Sequence, residues 1–412
     1  MNNVSKTNNF FQGHDPNNLV KEYGSPLYVY NERIFREKCK HMMTLCPYSR
    51  FSVNYAIKAN TNLTLLNIAC NEGLKADVSS AGEIVAALAA GYLPDDILFI
   101  ANNICEEEMK FAIDRGVLIS VDSLSQLETY GKINYGGKIA VRFNTGIGGG
   151  HHEKVVTGGD NTKFGVLMKY IPNVKQILKM YDLKLVGINH HIGSQYVEDL
   201  YIEGAKVLLN VARSFDNLDF IDFGGGFYIP YNKQQGEVAI DIRPIGEKLA
   251  TLMQNFSAEY GKEVTCIIEP GRFICAESGV LLGTVNAVKH NGAAKYVGTD
   301  IGFSVLARPT LYDAHHDIEV YNHDTGNEKE VTNIVGNQCE SGDYIAKERL
   351  MPILKEKDII GVLDAGAYGY SMSSQYNHRP RPAEVLICND GKLKLIRRRD
   401  SYEDMLTNMQ GL

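Results

Sequence analysis

No stretch of the chain approaches the roughly eighteen consecutive apolar residues that a membrane-spanning helix needs. The opening, "MNNVSKTNNFFQGHD", also lacks the apolar core of a secretory leader. Together these absences lead us to expect a cytoplasmic protein. A basic excess is missing too: the formal net charge is −7 and the pI is about 5.9. Such a chain has no surplus cation to neutralise phosphates, so neither nucleic acid nor a membrane surface is expected as partner. The one basic run, "IRRRD" at 396 to 400, reads as a solvated edge. The eight cysteines, at 39, 46, 70, 105, 266, 275, 339 and 388, form no C-x-x-C pair and no Cys/His spacing of a metal centre. No metal is expected, and most of these thiols should be reduced core residues. No internal repeat or low-complexity segment stands out.

The 412 residues, 44% hydrophobic and 22% charged, are ordinary for a globular protein. Their number suggests two domains, or one large barrel with a satellite. From about 35 to 275, β-rich apolar runs alternate with longer amphipathic stretches, as in repeated βα units around a parallel sheet. Eight runs can be counted: "FSVNYAI" (51 to 57), "LKADV" (74 to 78), "ILFIAN" (97 to 102), "VLISVDS" (117 to 123), "KIAVRFN" (138 to 144), "LVGINHHIGS" (185 to 194), "LDFIDFGGG" (218 to 226) and "VTCIIEPGR" (264 to 272). Eight parallel strands predict a (β/α)8 barrel rather than an open sheet. After about 276 the texture changes to shorter runs such as "GVLLGTVNAVKH", "KYVGTDIG" and "PAEVLIC", which predict a mostly antiparallel β domain. The lone early strand in "SPLYVYNE" (25 to 32) is expected to join that second sheet. The division is therefore a barrel over 35–275 and a β domain made of 1–34 and 276–412.

Barrel enzymes place their chemistry at the C-terminal ends of the strands. There the first strand of this chain ends in Lys58, an ammonium that is costly to bury unless it is paired or reacts. The sixth ends in His190, His191 and Ser194, the seventh in Gly224, Gly225 and Gly226, and the eighth in Glu269, Gly271 and Arg272. Glycines after strand seven and "PGR" after strand eight suit a phosphate site built from backbone N–H groups, to which Ser194 can add a hydroxyl. A phosphate site beside a strand-end lysine suggests pyridoxal phosphate held as a Schiff base through Lys58. That coenzyme asks for a carboxylate at its pyridine nitrogen and a flat group over its ring, and Glu269 and His191 stand in the right places. Singly, each could be structural, an ion-pair partner or a core histidine.

On "YAIKAN", "HHIGSQ", "DFGGGF", "EPGR", "CESGD" and "DAGAYGYSMSSQYNHRPRPAEVL", in this order from about residue 20 to 400, the chain resembles the fold-type III pyridoxal-phosphate decarboxylases. Within them the motifs are most similar to the branch that acts on diaminopimelate in the last step of bacterial lysine synthesis. The resemblance implies an alanine-racemase-like barrel with a C-terminal β domain. It also implies that Lys58 bonds to the coenzyme, His191 stacks on its ring, and Glu269 pairs with its nitrogen. Ser194, Gly225, Gly226 and the Pro270-Gly271-Arg272 segment would hold its phosphate. Tyr368 of "GAYGY" would reach coenzyme or substrate, and Cys339 of "CESGD" would be the acid that returns a proton after carbon dioxide leaves. In that family the cysteine loop comes from the partner chain, which implies a homodimer with shared sites. The alternative for Cys339 is a buried non-catalytic thiol.

The far end of the substrate separates the members of such a family. Diaminopimelate presents a distal amine and a distal carboxylate, whereas ornithine or lysine presents only the amine. Arg272, Arg308 and Tyr312 match the family's positions for the carboxylate and Glu340 for the amine, with "HHEKVVTGGDNTKFG" (151 to 165) lying over the substrate. The substrate is therefore expected to be meso-2,6-diaminopimelate and the product L-lysine; an ion pair at a surface or between subunits is the competing role for Arg308. The nearest rival is a decarboxylase of the same fold acting on carboxynorspermidine, ornithine, lysine or arginine. A Schiff-base aldolase would not account for Glu269, His191, Cys339 and Tyr368, and a regulatory homologue without turnover would commonly have lost Lys58 or Cys339.

Overall fold

The computed structural model describes the chain apart from residues 1–3, 101, 151, 153, 155, 160, 161, 195–197, 322–327 and 412. It divides into two compact units, Arg36–Ile229 with Ile240–Ile274, and Met1–Phe35 with Pro230–Ala239 and Cys275–Leu412. In the first, all eight predicted strands form: Phe51–Ala56, Lys75–Val78, Ile97–Ile100, Leu118–Val121, Lys138–Asn144, Lys184–Asn189, Phe220–Asp222 and Thr265–Ile268. Each pairs in parallel with the next, and the eighth returns to the first through Cys266 with Phe51, Ile267 with Ser52 and Ile268 with Val53. The ring is closed, a (β/α)8 barrel. Strands covered on both faces must be apolar throughout, which is why these segments read as continuous runs rather than alternating ones. Leu98, Ile100, Ala140, Val186, Phe220 and Ile267 fill part of the core. Gly187 leaves the space that the Phe220 ring occupies, since a Cβ there would lie 2.0 Å from it.

Helices start abruptly after the strands because polar side chains cap them. Asn62, Ser80 and Ser123 each accept a backbone N–H of the first turn that follows. The chain can thus turn within a few residues of a strand end, and the side chains at those ends stay in register with the barrel.

In the second unit the long strand Gly279–Asn291 is the axis. It pairs antiparallel with Leu27–Asn31, Ala294–Thr299 and Ile359–Val362. The early strand joins this sheet as expected, and it also runs parallel to Ala383–Ile387. Phe10, Phe11, Leu19, Leu27, Val29, Val280, Leu282 and Val385 form the core beneath. Pro230–Ala239 groups with this unit, although the sequence reading placed it within the barrel range. Lys233 in it bonds to Glu277 at 2.8 Å and Asp364 at 2.7 Å, and the backbone N–H of Gln234 donates to Asp317 at 2.9 Å.

The basic run at 396–400 is not the bare solvated edge expected from the sequence. Arg397 pairs with the buried Glu384, Arg398 donates to Asp404 at 2.8 Å, and Arg399 donates to the Pro26 carbonyl at 2.5 Å. The run begins on the edge strand Leu393–Arg397, which pairs antiparallel with Ala383–Ile387. All eight cysteines are free, but only Cys39, Cys46, Cys266 and Cys275 are buried, so core thiols are half of them rather than most. Among the described residues, no helix is long and apolar enough to cross a membrane.

Candidate active site

Strand one stops at Ala56, and Ile57–Ala59 turn into a short 3-10 helix that lifts Lys58 out of the sheet. Its Nζ donates to Oδ2 of Asp77, on strand two, at 2.6 Å; the lysine side chain is 40% exposed and the aspartate 1%. The costly ammonium is thus held by a buried carboxylate from the neighbouring strand.

Glu269 follows strand eight, and its backbone N–H donates to the Gly224 carbonyl at 2.9 Å. Its carboxyl adjoins that of Asp222, the last residue of strand seven. Burial first, then the charges of Asp222 and Asp77, hold the Glu269 carboxyl well above the usual range. Burial likewise pushes Asp222 up to about 7. Two adjoining carboxyls in a dry site retain a proton between them. Glu269 Oε1 is buried and has no hydrogen-bond partner among the described residues. Arg142, buried on strand five, lies within electrostatic reach of Glu269, Asp122, Asp77 and Asp222, and its guanidinium stands 4.5 Å from the centroid of the Phe164 ring.

The two histidines after strand six are both neutral. Burial and the Arg142 charge push His190 down to about 3. Burial, then Arg142, Lys58 and His190, hold His191 well below the ordinary histidine range. His191 Nδ1 accepts the Gly225 N–H at 3.2 Å, so the ring proton sits on Nε2. The glycines beside it serve close approach: a Cβ on Gly225 would lie 1.9 Å from the Glu269 carbonyl oxygen, and Gly226 has φ +104°. Pro270 accepts the Ala56 N–H at 3.2 Å, a Cβ on Gly271 would lie 3.2 Å from Ala56, and Arg272 donates to Ser194 Oγ at 3.2 Å.

The barrel therefore collects Lys58, His191, Ser194, Gly225, Gly226, Glu269, Pro270, Gly271 and Arg272 at the C-terminal ends of its strands. This donor set fits pyridoxal phosphate: a primary amine, a carboxylate with an open buried oxygen, a flat neutral ring and a glycine-lined backbone. The loop over 146–165 is tied to the same end. Asn144 Oδ1 accepts the N–H groups of Gly146 and Gly159, and Thr157 donates to the His191 carbonyl at 2.8 Å. Its residues 151, 153, 155, 160 and 161, and Gln195 of the "HHIGSQ" motif, lie outside the described residues.

The second unit carries the other predicted residues. Cys339 is exposed rather than buried; its Sγ accepts from Asn377 Nδ2 at 3.0 Å, and its backbone N–H donates to Asn377 Oδ1 at 3.0 Å. Glu340 accepts from the Tyr376 hydroxyl at 2.5 Å. Arg308 and Tyr312 begin and end one short helix, the arginine buried and the tyrosine half-buried. Tyr368 sits half-buried in a turn with φ +56°. Tyr376 joins Cys339 and Glu340, since its hydroxyl also lies 3.7 Å from Cys339 Sγ.

Asp77, Arg142 and Asp222 escaped the sequence reading. Their signal was available in "KADV", "VRFN" and "FIDF", each an ionisable residue inside an otherwise apolar strand, the same signal that singled out Lys58.

A family model described as "Pyridoxal-dependent decarboxylase, pyridoxal binding domain" matches residues 32–276. The diaminopimelate decarboxylase of Methanothermobacter thermautotrophicus is 40% identical over 405 residues, covering 96% of this chain and 94% of that one. Among solved structures, a diaminopimelate decarboxylase aligns at 33% identity with a TM-score of 0.89, over 97% of this chain and 98% of the other. The diaminopimelate decarboxylase from Helicobacter pylori complexed with L-lysine aligns at 31% identity with a TM-score of 0.86, over the same shares of the two chains. A parallel barrel closed around a lysine, a buried carboxyl pair and a glycine cradle, matched along nearly its whole length by such proteins, belongs to the diaminopimelate decarboxylase family of pyridoxal-dependent enzymes.

Proposed function

We propose that this chain removes one carboxylate of meso-2,6-diaminopimelate as carbon dioxide and leaves L-lysine, with pyridoxal phosphate bound in a domain spanning 35–275. The observation that supports it best is the pairing of Lys58 with Asp77 beside the open oxygen of Glu269, at one end of one barrel.

Bound pyridoxal phosphate supplies a place for the electron pair left behind when carbon dioxide departs. Lys58 would hold the coenzyme through its amine, with Asp77 orienting that amine. Glu269, its carboxyl adjoining that of Asp222, would accept a hydrogen bond from the ring nitrogen. His191, neutral and flat, would cover one face. The backbone at Gly225, Gly226, Pro270 and Gly271, with Ser194 and Arg272, binds the phosphate.

Arg272 of the barrel, with groups from residues 1–34 and 276–412, supplies the rest. Arg272, Arg308 and Tyr312 bind the distal carboxylate, Glu340 the distal amine, and Tyr368 touches coenzyme or substrate. Cys339 returns a proton to the substrate carbon, its sulfur held by Asn377. The active form is a homodimer in the cytoplasm, Cys339 serving the site of the partner.

Carbon dioxide release and lysine formation, measured with meso-diaminopimelate and in parallel with ornithine, lysine, arginine and carboxynorspermidine, test this. Turnover is expected on diaminopimelate alone; turnover confined to another amine would overturn the substrate assignment. Arg308→Ala should raise KM on the order of 10²-fold with coenzyme absorbance unchanged, because a carboxylate then loses its charged partner.

A further inference from the structure

Arg308 opens the helix Arg308–Tyr312, and only 1% of it is exposed. Burying a guanidinium fixes where its N–H groups must point. One NH1 lies 2.6 Å from Nε2 of His316, which is 1% exposed as well. Arginine can only donate, so Nε2 must be the acceptor. The other ring nitrogen, Nδ1, lies 2.7 Å from the carbonyl oxygen of Leu363, which can only accept, so Nδ1 carries the proton. Both partners therefore demand the same neutral tautomer. Tyr231 bounds the group on another side: the Arg308 guanidinium stands 4.4 Å from its ring centroid, and the His316 ring meets it edge-on at 5.1 Å and 75°.

Imidazole and phenol orient the guanidinium through a lone pair and a π face. We propose that His316 is a positioning residue that holds Arg308 in the orientation needed to receive the distal carboxylate of the substrate. This inference rests on the role given above to Arg308. Without the acceptor at Nε2, the guanidinium can turn away from the incoming carboxylate. The energy lost then belongs to binding of the far end and leaves the bond-breaking step unchanged.

L-lysine keeps the carboxylate that Arg308 would hold, and cadaverine lacks it, so the affinities of the two report this contact without turnover. The test measures L-lysine and cadaverine dissociation constants by calorimetry, and steady-state kinetics on diaminopimelate, with coenzyme-loaded wild type, His316→Asn, His316→Gln and Arg308→Ala. Asparagine can still donate towards Leu363 but does not reach Arg308; glutamine places an amide oxygen near the position of Nε2. His316→Asn should weaken L-lysine and raise KM by about tenfold or more, with kcat within about threefold and cadaverine unaffected, and His316→Gln should recover most of the loss. His316→Asn binding L-lysine like wild type, or the two histidine variants failing equally, would overturn the proposal. Arg308→Ala with undiminished L-lysine affinity would defeat the role of Arg308 itself. Weak binding in that variant beside an intact His316→Asn would defeat only the role of His316. Should the variants not fold, nitrogen-15 spectra of histidine-labelled wild type decide: a proton on Nδ1 of His316 is expected, and one on Nε2 would refute the arrangement.

Discussion

Asp222 and Glu269 are two adjoining buried carboxyls, and such a pair does not hold two charges. The nitrogen of a bound coenzyme would change that balance: a cationic ring nitrogen beside Glu269 would favour the charged form of this residue and leave the proton with Asp222. Glu269→Gln keeps the volume and an acceptor oxygen but removes the charge. Its kcat should fall by a factor on the order of 10²–10³, as when a preorganised electrostatic partner is lost, while coenzyme still binds. Steady-state rates set against coenzyme titration check this, and an unchanged kcat would remove Glu269 from the chemistry. At this scale the sequence was informative for Lys58, His191 and Glu269, which stand just beyond strand ends, though not for Asp222, the last residue within one. It was uninformative where the meaning of a residue lies in its neighbour: nothing in "KADV" says that Asp77 faces Lys58 across two strands, and nothing in "DAHHDIEV" says which of two adjacent histidines meets Arg308.

Pro230–Ala239, which groups with the second unit, carries no signal of the kind that marks the eight barrel strands. Strands carry a periodic apolar signal, whereas this segment is fixed by a few polar contacts that only tertiary structure reveals. Its anchor is Lys233, set between Glu277 and Asp364, with its side chain 18% exposed. Burial works against the ammonium, yet Asp364 and Glu277 together raise it above the ordinary lysine range. Burial pushes the Asp364 carboxyl up to about 7 despite the lysine. Removing one partner of a buried ion group leaves the others uncompensated, at a cost of about 3–5 kcal/mol. Lys233→Met should therefore lower the unfolding free energy by about that much, measured by denaturant titration. The sign of its pH dependence follows from linkage. Asp364 has a folded value above its unfolded one, so its native form binds the extra proton, and stability is lost as pH rises through the folded value. Without Lys233 both carboxyls hold protons more tightly, so the destabilisation should be greater at pH 8 than at pH 6. Equal losses at the two would show that the lysine acts by packing alone.

At the scale of the molecule, the barrel carries Lys58, His191, Glu269 and Arg272, and Arg308, Tyr312, Cys339, Glu340 and Tyr368 stand on the other unit. That division is what gives subunit assembly a chemical role in the proposed function: Lys58 of one chain and Cys339 of the other would make one site. The idea predicts a recovery that no single chain can produce. Lys58→Ala and Cys339→Ala should each be nearly inactive alone. Coexpressed, they reassort so that half of the dimers are mixed, and each mixed dimer holds one site with both the lysine and the cysteine intact. Activity should return to about a quarter of the wild-type value per chain, as expected for two-fold symmetric pairing. If Lys58 and Cys339 of the same chain formed the site, every site in the mixture would lack one of them, and no activity would return. The outcome separates the two arrangements even if both variants bind coenzyme normally, because it depends only on which chain contributes each residue.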